Sequence, residues 1–183
     1  MSTIANTTVL SNFARIGQLA LLRSLYGVLY MSTEVYTEVQ DGLDEGYAFY
    51  AGIAQLVYPL AADGWIHLTS MADTEELRRF AAMPRGLHQG EASSLAIAAQ
   101  RGWMLLTDDR AARREAARLG IRLSGSVGCL VLGVEQGHCT LDAANGWLHT
   151  MIQQGYYAPT SDLTPLVARA QPPDEATQEG SDG

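Results

Sequence analysis

The stretch Gly90–Arg113, GEASSLAIAAQRGWMLLTDDRAAR, holds a helix, a buried strand and an acidic turn in succession, and its reading decides the fold. Leu95, Ala96, Ala98 and Ala99 give Gly90–Gly102 a small apolar inner surface, and Gly102 is placed to stop the helix. Trp103–Leu106 (WMLL) then runs almost continuously apolar, the pattern of a strand at the centre of a sheet covered on both faces. Thr107, Asp108 and Asp109 follow at the carboxyl end of that strand. A further helix is expected to run to about Leu119, with Gly120 as its stop.

The same alternation extends in both directions. Thr3–Ala5 reads as a first strand, followed by a helix with Val9, Leu10, Phe13, Ile16 and Leu19 at helical spacing. Val28–Met31 reads as a second strand, after which Ser32 or Thr33 caps a helix starting at Glu34. A helical segment is expected around Ala48–Leu60, a third strand at Trp65–Leu68, a polar-faced helix at Asp73–Ala82, and a last strand at Ile121–Leu123. Strands alternating with helices predict parallel βαβ units. The expected architecture is a three-layer α/β/α sandwich around a central, mainly parallel five-stranded sheet. Residues 1–170 are expected to form one domain, and 171–183 an acidic, disordered tail with too few apolar residues to order itself.

Composition narrows the function. At 183 residues, 47% of them hydrophobic and 17% charged, the chain suits a single globular domain. No run approaches the roughly 18 apolar residues of a membrane span, and the N-terminus lacks the basic and apolar regions of a signal peptide. Cys129 and Cys139 form neither a disulfide framework nor a metal-binding spacing, so the expected compartment is a reducing cytoplasm, with no membrane partner. The net charge of −8 argues against a wholly basic nucleic-acid binder, yet half of it comes from Asp174, Glu175, Glu179 and Asp182 in the tail. All 12 basic residues are arginines, which suits bidentate phosphate contacts.

In open parallel sheets, ligands bind beyond the carboxyl ends of the strands. Polar residues stand at several such ends here: Asn6 after the first strand, and Asp108 and Asp109 after WMLL. Glu91 opens a helix, where the helix dipole favours a carboxylate, and Glu38 lies one turn beyond Glu34. Taken singly, each has an ordinary role as a helix cap or a solvated surface charge. Recurring in successive βα units, they describe a pocket of hard oxygen donors of the kind that takes Mg²⁺ and its waters. No GxGxxG or Walker loop follows the first strand, which sets aside a dinucleotide- or NTP-binding protein, and Gly125–Gly128 (GSVG) reads as a turn.

Five blocks carry a specific resemblance: Ile4–Leu10 (IANTTVL), Ser32–Val39 (STEVYTEV), Gly90–Ala98 (GEASSLAIA), Leu105–Arg113 (LLTDDRAAR) and Gly125–Gly128. In order and spacing, over about Ile4 to Leu132, they resemble PIN domains. The Asn6 variant is similar to a subfamily of predicted nucleic-acid-binding proteins with asparagine at the first acidic position. The resemblance implies a PIN-like fold and a metal-dependent ribonuclease that hydrolyses RNA phosphodiesters. Asn6, Glu38, Glu91, Asp108 and Asp109 would be metal ligands for Mg²⁺ or Mn²⁺, with Glu38, Glu91 and Asp109 catalytic. Asp109 is preferred as the main fourth-site acid, and Asp108 as an accessory ligand or helix cap. Thr7 and Ser126 would supply hydrogen bonds within the pocket. An amide at Asn6 lacks charge and cannot act as a base, so metal affinity is expected to be lower than at a four-acid site. A non-catalytic PIN-fold module binding RNA or protein is the competing expectation. The family also implies a toxin of a toxin–antitoxin pair, with a small antitoxin protein as partner and a homodimeric state.

Arg110, Arg113, Arg114 and Arg118 recur at spacings of three and four on the helix after Asp109. They are read either as a solvated face or as a stripe holding RNA phosphates beside the acids, with Arg110, Arg113 and Arg114 the RNA-binding set.

Overall fold

The structure is a computed structural model that describes residues 1–170, so the expectation of a disordered tail at 171–183 lies outside the described residues. Its elements are β1 (Thr3–Ala5), α1 (Thr7–Arg15), α2 (Leu19–Tyr26), β2 (Leu29–Ser32), α3 (Thr33–Asp44), β3 (Val57–Tyr58), β4 (Ile66–Thr69), α4 (Thr74–Ala81), α5 (Gln89–Arg101), β5 (Met104–Leu106), α6 (Arg110–Arg118), β6 (Leu123–Ser124), α7 (Ser126–Glu135), α8 (Leu141–Gln153) and α9 (Thr164–Ala170).

The strands lie in the order β3-β4-β2-β1-β5-β6, and every pairing is parallel. Because successive strand residues point to opposite faces, each central strand feeds two cores. Ala5 and Leu106 pack on one side with Val9, Leu10 and Phe13 of α1, Leu22 of α2 and Leu148 of α8. Ile4 and Leu105 pack on the other with Leu95 and Ile97 of α5 and Ala112 and Ala116 of α6. Both faces are therefore covered, as the apolar WMLL run predicts, and the molecule is a three-layer α/β/α sandwich.

Four expectations need correction. The sheet has six strands rather than five, because Val57–Tyr58 adds an edge strand beside β4. The helix expected at Ala48–Leu60 is replaced by two short 3₁₀ turns, Ala48–Tyr50 and Ile53–Leu56, and by β3. A β-branched Val57 favours the extended state, and Pro59 disfavours helical backbone at Tyr58. The helix expected from Val9 through Leu19 is two, α1 and α2, with Gly17 at φ +67° between them. Finally, Gly125–Gly128 is no free turn: Gly125 is extended, and Ser126 begins α7.

A buried ion pair ties α4 to α5. Glu76 is 1% exposed and accepts from Arg101 Nε at 2.6 Å and Nη2 at 3.1 Å. Arg101 also donates to Thr69 Oγ1 and to the Ser70 carbonyl, each at 2.7 Å, which fixes the end of β4. The neighbouring guanidinium holds the Glu76 carboxyl below its usual range against the opposing effect of burial. Cys129 is buried, Cys139 is half-buried, and both are free thiols.

Candidate active site

The chain leaves β1 and β5 side by side: the Asn6 amide N–H donates to the Leu106 carbonyl at 3.0 Å. From β1 the chain proceeds to β2 on one flank, and from β5 to β6 on the other. That divergence is the topological switch point, where an open sheet leaves a crevice beyond its carboxyl ends. Asn6, Thr107, Asp108 and Asp109 stand at its lip.

Asn6 is almost fully buried and held from both ends. Its Oδ1 accepts from the Thr8 N–H at 3.2 Å and the Thr8 hydroxyl at 2.7 Å, capping α1, while Nδ2 donates to Thr107 Oγ1 at 2.6 Å.

Ser32 caps α3, accepting from the Val35 N–H, and this cap sets the helix so that Glu38 reaches across to α5. Glu38 Oε1 accepts from the Gly90 N–H at 2.8 Å, and the Thr7 hydroxyl donates to Oε2. A Cβ at position 90 would lie 2.7 Å from that carboxylate, so only glycine admits the approach. Glu34 is half-buried on the preceding turn and bonds locally to the Thr33 hydroxyl.

Glu91 turns back on its own helix start, Oε2 accepting from the His88 N–H at 2.9 Å. Burial, with the charges of Asp109 and Glu38 adding to it, lifts Glu91 above the usual carboxylate range. The His88 N–H and the charge of His88 pull the other way. Glu91, on α5, therefore lies within charge–charge range of Glu38 on α3 and of Asp109 at the β5–α6 turn.

The two adjacent aspartates do different things. Asp109 is the cap of α6, accepting from the Ala112 N–H at 2.7 Å, and faces the Glu91 side. Asp108, expected as an accessory ligand or a helix cap, does not cap the helix that follows it but reaches the first N–H of α7. Its Oδ1 accepts from the Ser126 N–H and the Tyr156 hydroxyl, both at 2.9 Å. Its Oδ2 accepts from Asn12 Nδ2 at 2.9 Å and from the Ser126 hydroxyl. Four donors fill the lone pairs of one carboxylate. Gly125 permits this, since a Cβ there would meet Asp108 Oδ1 at 2.5 Å. Burial and the adjoining Asp108 charge raise the Tyr156 phenol well above its ordinary value, which keeps it a donor.

Thr7 and Ser126 thus both bond to acids of the expected set, Glu38 and Asp108 respectively. Of the arginines, Arg113 Nη1 donates to the Thr107 carbonyl at 2.9 Å, and Arg110 lies 4.4 Å over the ring of Tyr157. Arg114 is exposed, and Arg118 is bound to Glu115 on its own helix. Sequence reasoning did not single out Thr8, Asn12, Thr107 or Tyr156 as partners of the acids. Asn12 alone leaves a trace, as a polar residue beside the apolar stripe of α1.

No group of three or more His, Cys, Asp or Glu side chains among the described residues makes a ready metal cage. The donor chemistry nevertheless suits a largely hydrated Mg²⁺ or Mn²⁺, which usually takes only one or two protein carboxylates. Among the described residues, no protein donor reaches Glu91 Oε1 or Asp109 Oδ2. Those two oxygens fit such an ion, with Glu38 adding charge. Asn6 and Asp108, both occupied by protein donors, do not offer themselves in the same way.

Fold and site together define an open parallel α/β domain with an acidic crevice at its switch point. A family model described as a PIN domain matches residues 2–171, and the chain belongs to the PIN domain family. Such domains are generally nuclease-type and typically depend on a divalent metal. No curated protein matches the chain. Among solved structures it is similar to a PilT N-terminus domain protein from the hyperthermophilic archaeon Sulfolobus solfataricus, at 14% identity. That match covers 74% of this chain and 95% of the other, with a TM-score of 0.49. No helix among the described residues is long and apolar enough to cross a membrane.

Proposed function

We propose that the protein is a weak, divalent-metal-dependent ribonuclease acting on single-stranded RNA. The observation that supports this reading is that Glu91 feels the charges of both Asp109 and Glu38, while Glu38 bonds the Gly90 N–H beside it. A bound Mg²⁺ or Mn²⁺ would supply an activated water and stabilise charge on the phosphodiester. The chain's own residues prepare that place. Gly90 N–H and the Thr7 hydroxyl orient Glu38, His88 N–H orients Glu91, and Ala112 N–H orients Asp109. Carboxylates crowded in this way repel one another and favour a cation between them.

A second reading, a non-catalytic PIN module that binds RNA, is favoured by one feature. The Asn6 amide at the first acidic position already satisfies Thr8 and Thr107 and adds no charge. Titrating Mn²⁺ against the wild type and Asn6→Asp, with labelled single-stranded RNA, separates the two. Slow cleavage by the wild type that speeds up in the variant supports the nuclease. Absence of cleavage by both, at every metal concentration, leaves only the binding module.

A further inference from the structure

Two cavities open beside the acidic crevice, and the proposed nuclease role does not account for how they are lined. One, of about 480 Å³, is bordered by Thr8, Asn12, Arg15, Asp109, Arg110 and Tyr157. The other, of about 410 Å³, is bordered by Arg110, Arg113, Gly125, Tyr157 and Pro159 among others. Asp108, Arg110, Tyr156 and Tyr157 border both. The segment after α8 brings Tyr157 there. It is anchored by Tyr156 on Asp108 and by the Gln154 carbonyl, which accepts from Arg15 Nη1 at 2.7 Å.

Tyr157 is the anomaly. It is 79% exposed, the most exposed of the large hydrophobic residues, yet it stands on an anchored segment rather than a free end. The Arg110 guanidinium covers one side of its ring at 4.4 Å from the centroid. With so much of the residue open, the ring remains accessible beside a cavity that Asp109 also borders. A planar π-face backed by a cation, flanked by Arg15 and Arg113 and adjoining an acidic crevice, matches what an unpaired nucleobase and its phosphates require. Aromatic stacking is tolerant of sequence, and arginine supplies the phosphate contacts that an acidic protein otherwise lacks.

We propose that Tyr157 and Arg110 form a stacking seat for one unpaired base of single-stranded RNA, holding the strand across the acidic crevice while Arg15 and Arg113 contact flanking phosphates. This rests on RNA being the ligand, as in the proposed function. It adds a specific base-binding site and predicts preference for single strands over duplex, whose bases are already stacked.

The test is binding, measured with EDTA present so that cleavage plays no part. Fluorescence anisotropy with a fluorescein-labelled single-stranded octaribonucleotide of mixed sequence is compared with the same strand in duplex form. Tyr157→Ala and Tyr157→Leu are expected to weaken single-strand binding by about tenfold to hundredfold, with the salt slope unchanged. Tyr157→Phe should bind within about threefold of the wild type, because the π-face is kept. Arg110→Ala and Arg113→Ala should instead flatten the salt slope. Equal binding by Tyr157→Ala and the wild type overturns the stacking seat and leaves the nuclease reading intact. Binding that needs Tyr157 without any cleavage in Mn²⁺ leaves the seat standing and removes the nuclease. No binding of the strand by the wild type in EDTA overturns the seat, and cleavage in Mn²⁺ then decides the nuclease reading separately.

Discussion

Replacing Asp108 and Asp109 one at a time should separate two residues that a sequence treats as a pair. Asp108→Ala removes the acceptor for the Ser126 N–H and hydroxyl, Asn12 Nδ2 and the Tyr156 hydroxyl. Asn12 keeps a second partner in Ser126 Oγ at 3.2 Å, and the half-buried Tyr156 hydroxyl can turn to water. The two Ser126 donors lie in a residue with no exposed surface and have no such escape. At about 1–3 kcal/mol per stranded donor, the loss is about 3 kcal/mol. For a domain of this size that is a fall in Tm of roughly 6–12 °C. Asp109→Ala loses one helix cap, about 1 kcal/mol, and relieves the charge that burdens Glu91. Its Tm should stay within roughly 4 °C of the wild type. Thermal unfolding by circular dichroism in EDTA at pH 7 measures both. In the presence of Mn²⁺ the order should reverse for activity, with Asp109→Ala the more damaging. A stable Asp108→Ala beside a strongly destabilised Asp109→Ala would refute the division of labour described here.

Further outcomes follow from the same contacts. Adding Mn²⁺ at about a hundred times its Kd should stabilise the protein by about 2.7 kcal/mol, seen as a higher Tm. Glu91→Gln keeps an acceptor for His88 but sheds the penalised charge, so it should raise the metal-free Tm and abolish the Mn²⁺ response. An unchanged Tm for the wild type in Mn²⁺ would count against any metal site. Glu76 gives the pH dependence. Its carboxyl is held below the unfolded value of about 4.3, so its contribution is full above that pH and lost as pH falls through the lower folded value. Glu76→Gln should therefore be less stable by about 2–3 kcal/mol at pH 7, since Arg101 keeps some access to water. The gap should narrow below about pH 4.3, as the wild-type carboxyl protonates. Urea melts at pH 7 and pH 3.5 test this, and a gap that does not change with pH would show that the ion pair contributes nothing.

The fold was legible wherever a local pattern carried it. The small-residue face of α5 and the apolar run of β5 are contiguous, and each matches one period over several residues. β3 was invisible because two residues have no period, and its pairing with β4 depends on a loop that no local rule describes. The break between α1 and α2 was hidden because apolar residues continue at helical spacing on both sides of Gly17. At the site, the positions of the acids were legible from strand ends, but their partners were not. Asn12 reaches Asp108 across 96 residues and Tyr156 reaches it across 48, contacts that exist only once the sheet has closed.

Asn6 shows why the chemistry of a position is decided by its neighbours rather than by its place in a motif. The amide both accepts, from Thr8, and donates, to Thr107, and Thr107 in turn accepts from the Asp109 N–H at 3.2 Å. A carboxylate there could still cap α1 but could not donate to Thr107, whose hydroxyl would have to reverse. It would also add a charge to a crevice where burial, and then the charges of Asp109 and Glu38, already disfavour the ionised Glu91. Two carboxylates ~8 Å apart repel by about 2 kcal/mol at an effective dielectric of ~20. Asn6 therefore favours a fold that is stable without metal, at the expense of affinity for it. Asn6→Asp should move both quantities together, lowering the metal-free Tm while enlarging the rise that Mn²⁺ produces. A variant that loses stability without gaining any metal response would mean that position 6 does not face the ion at all.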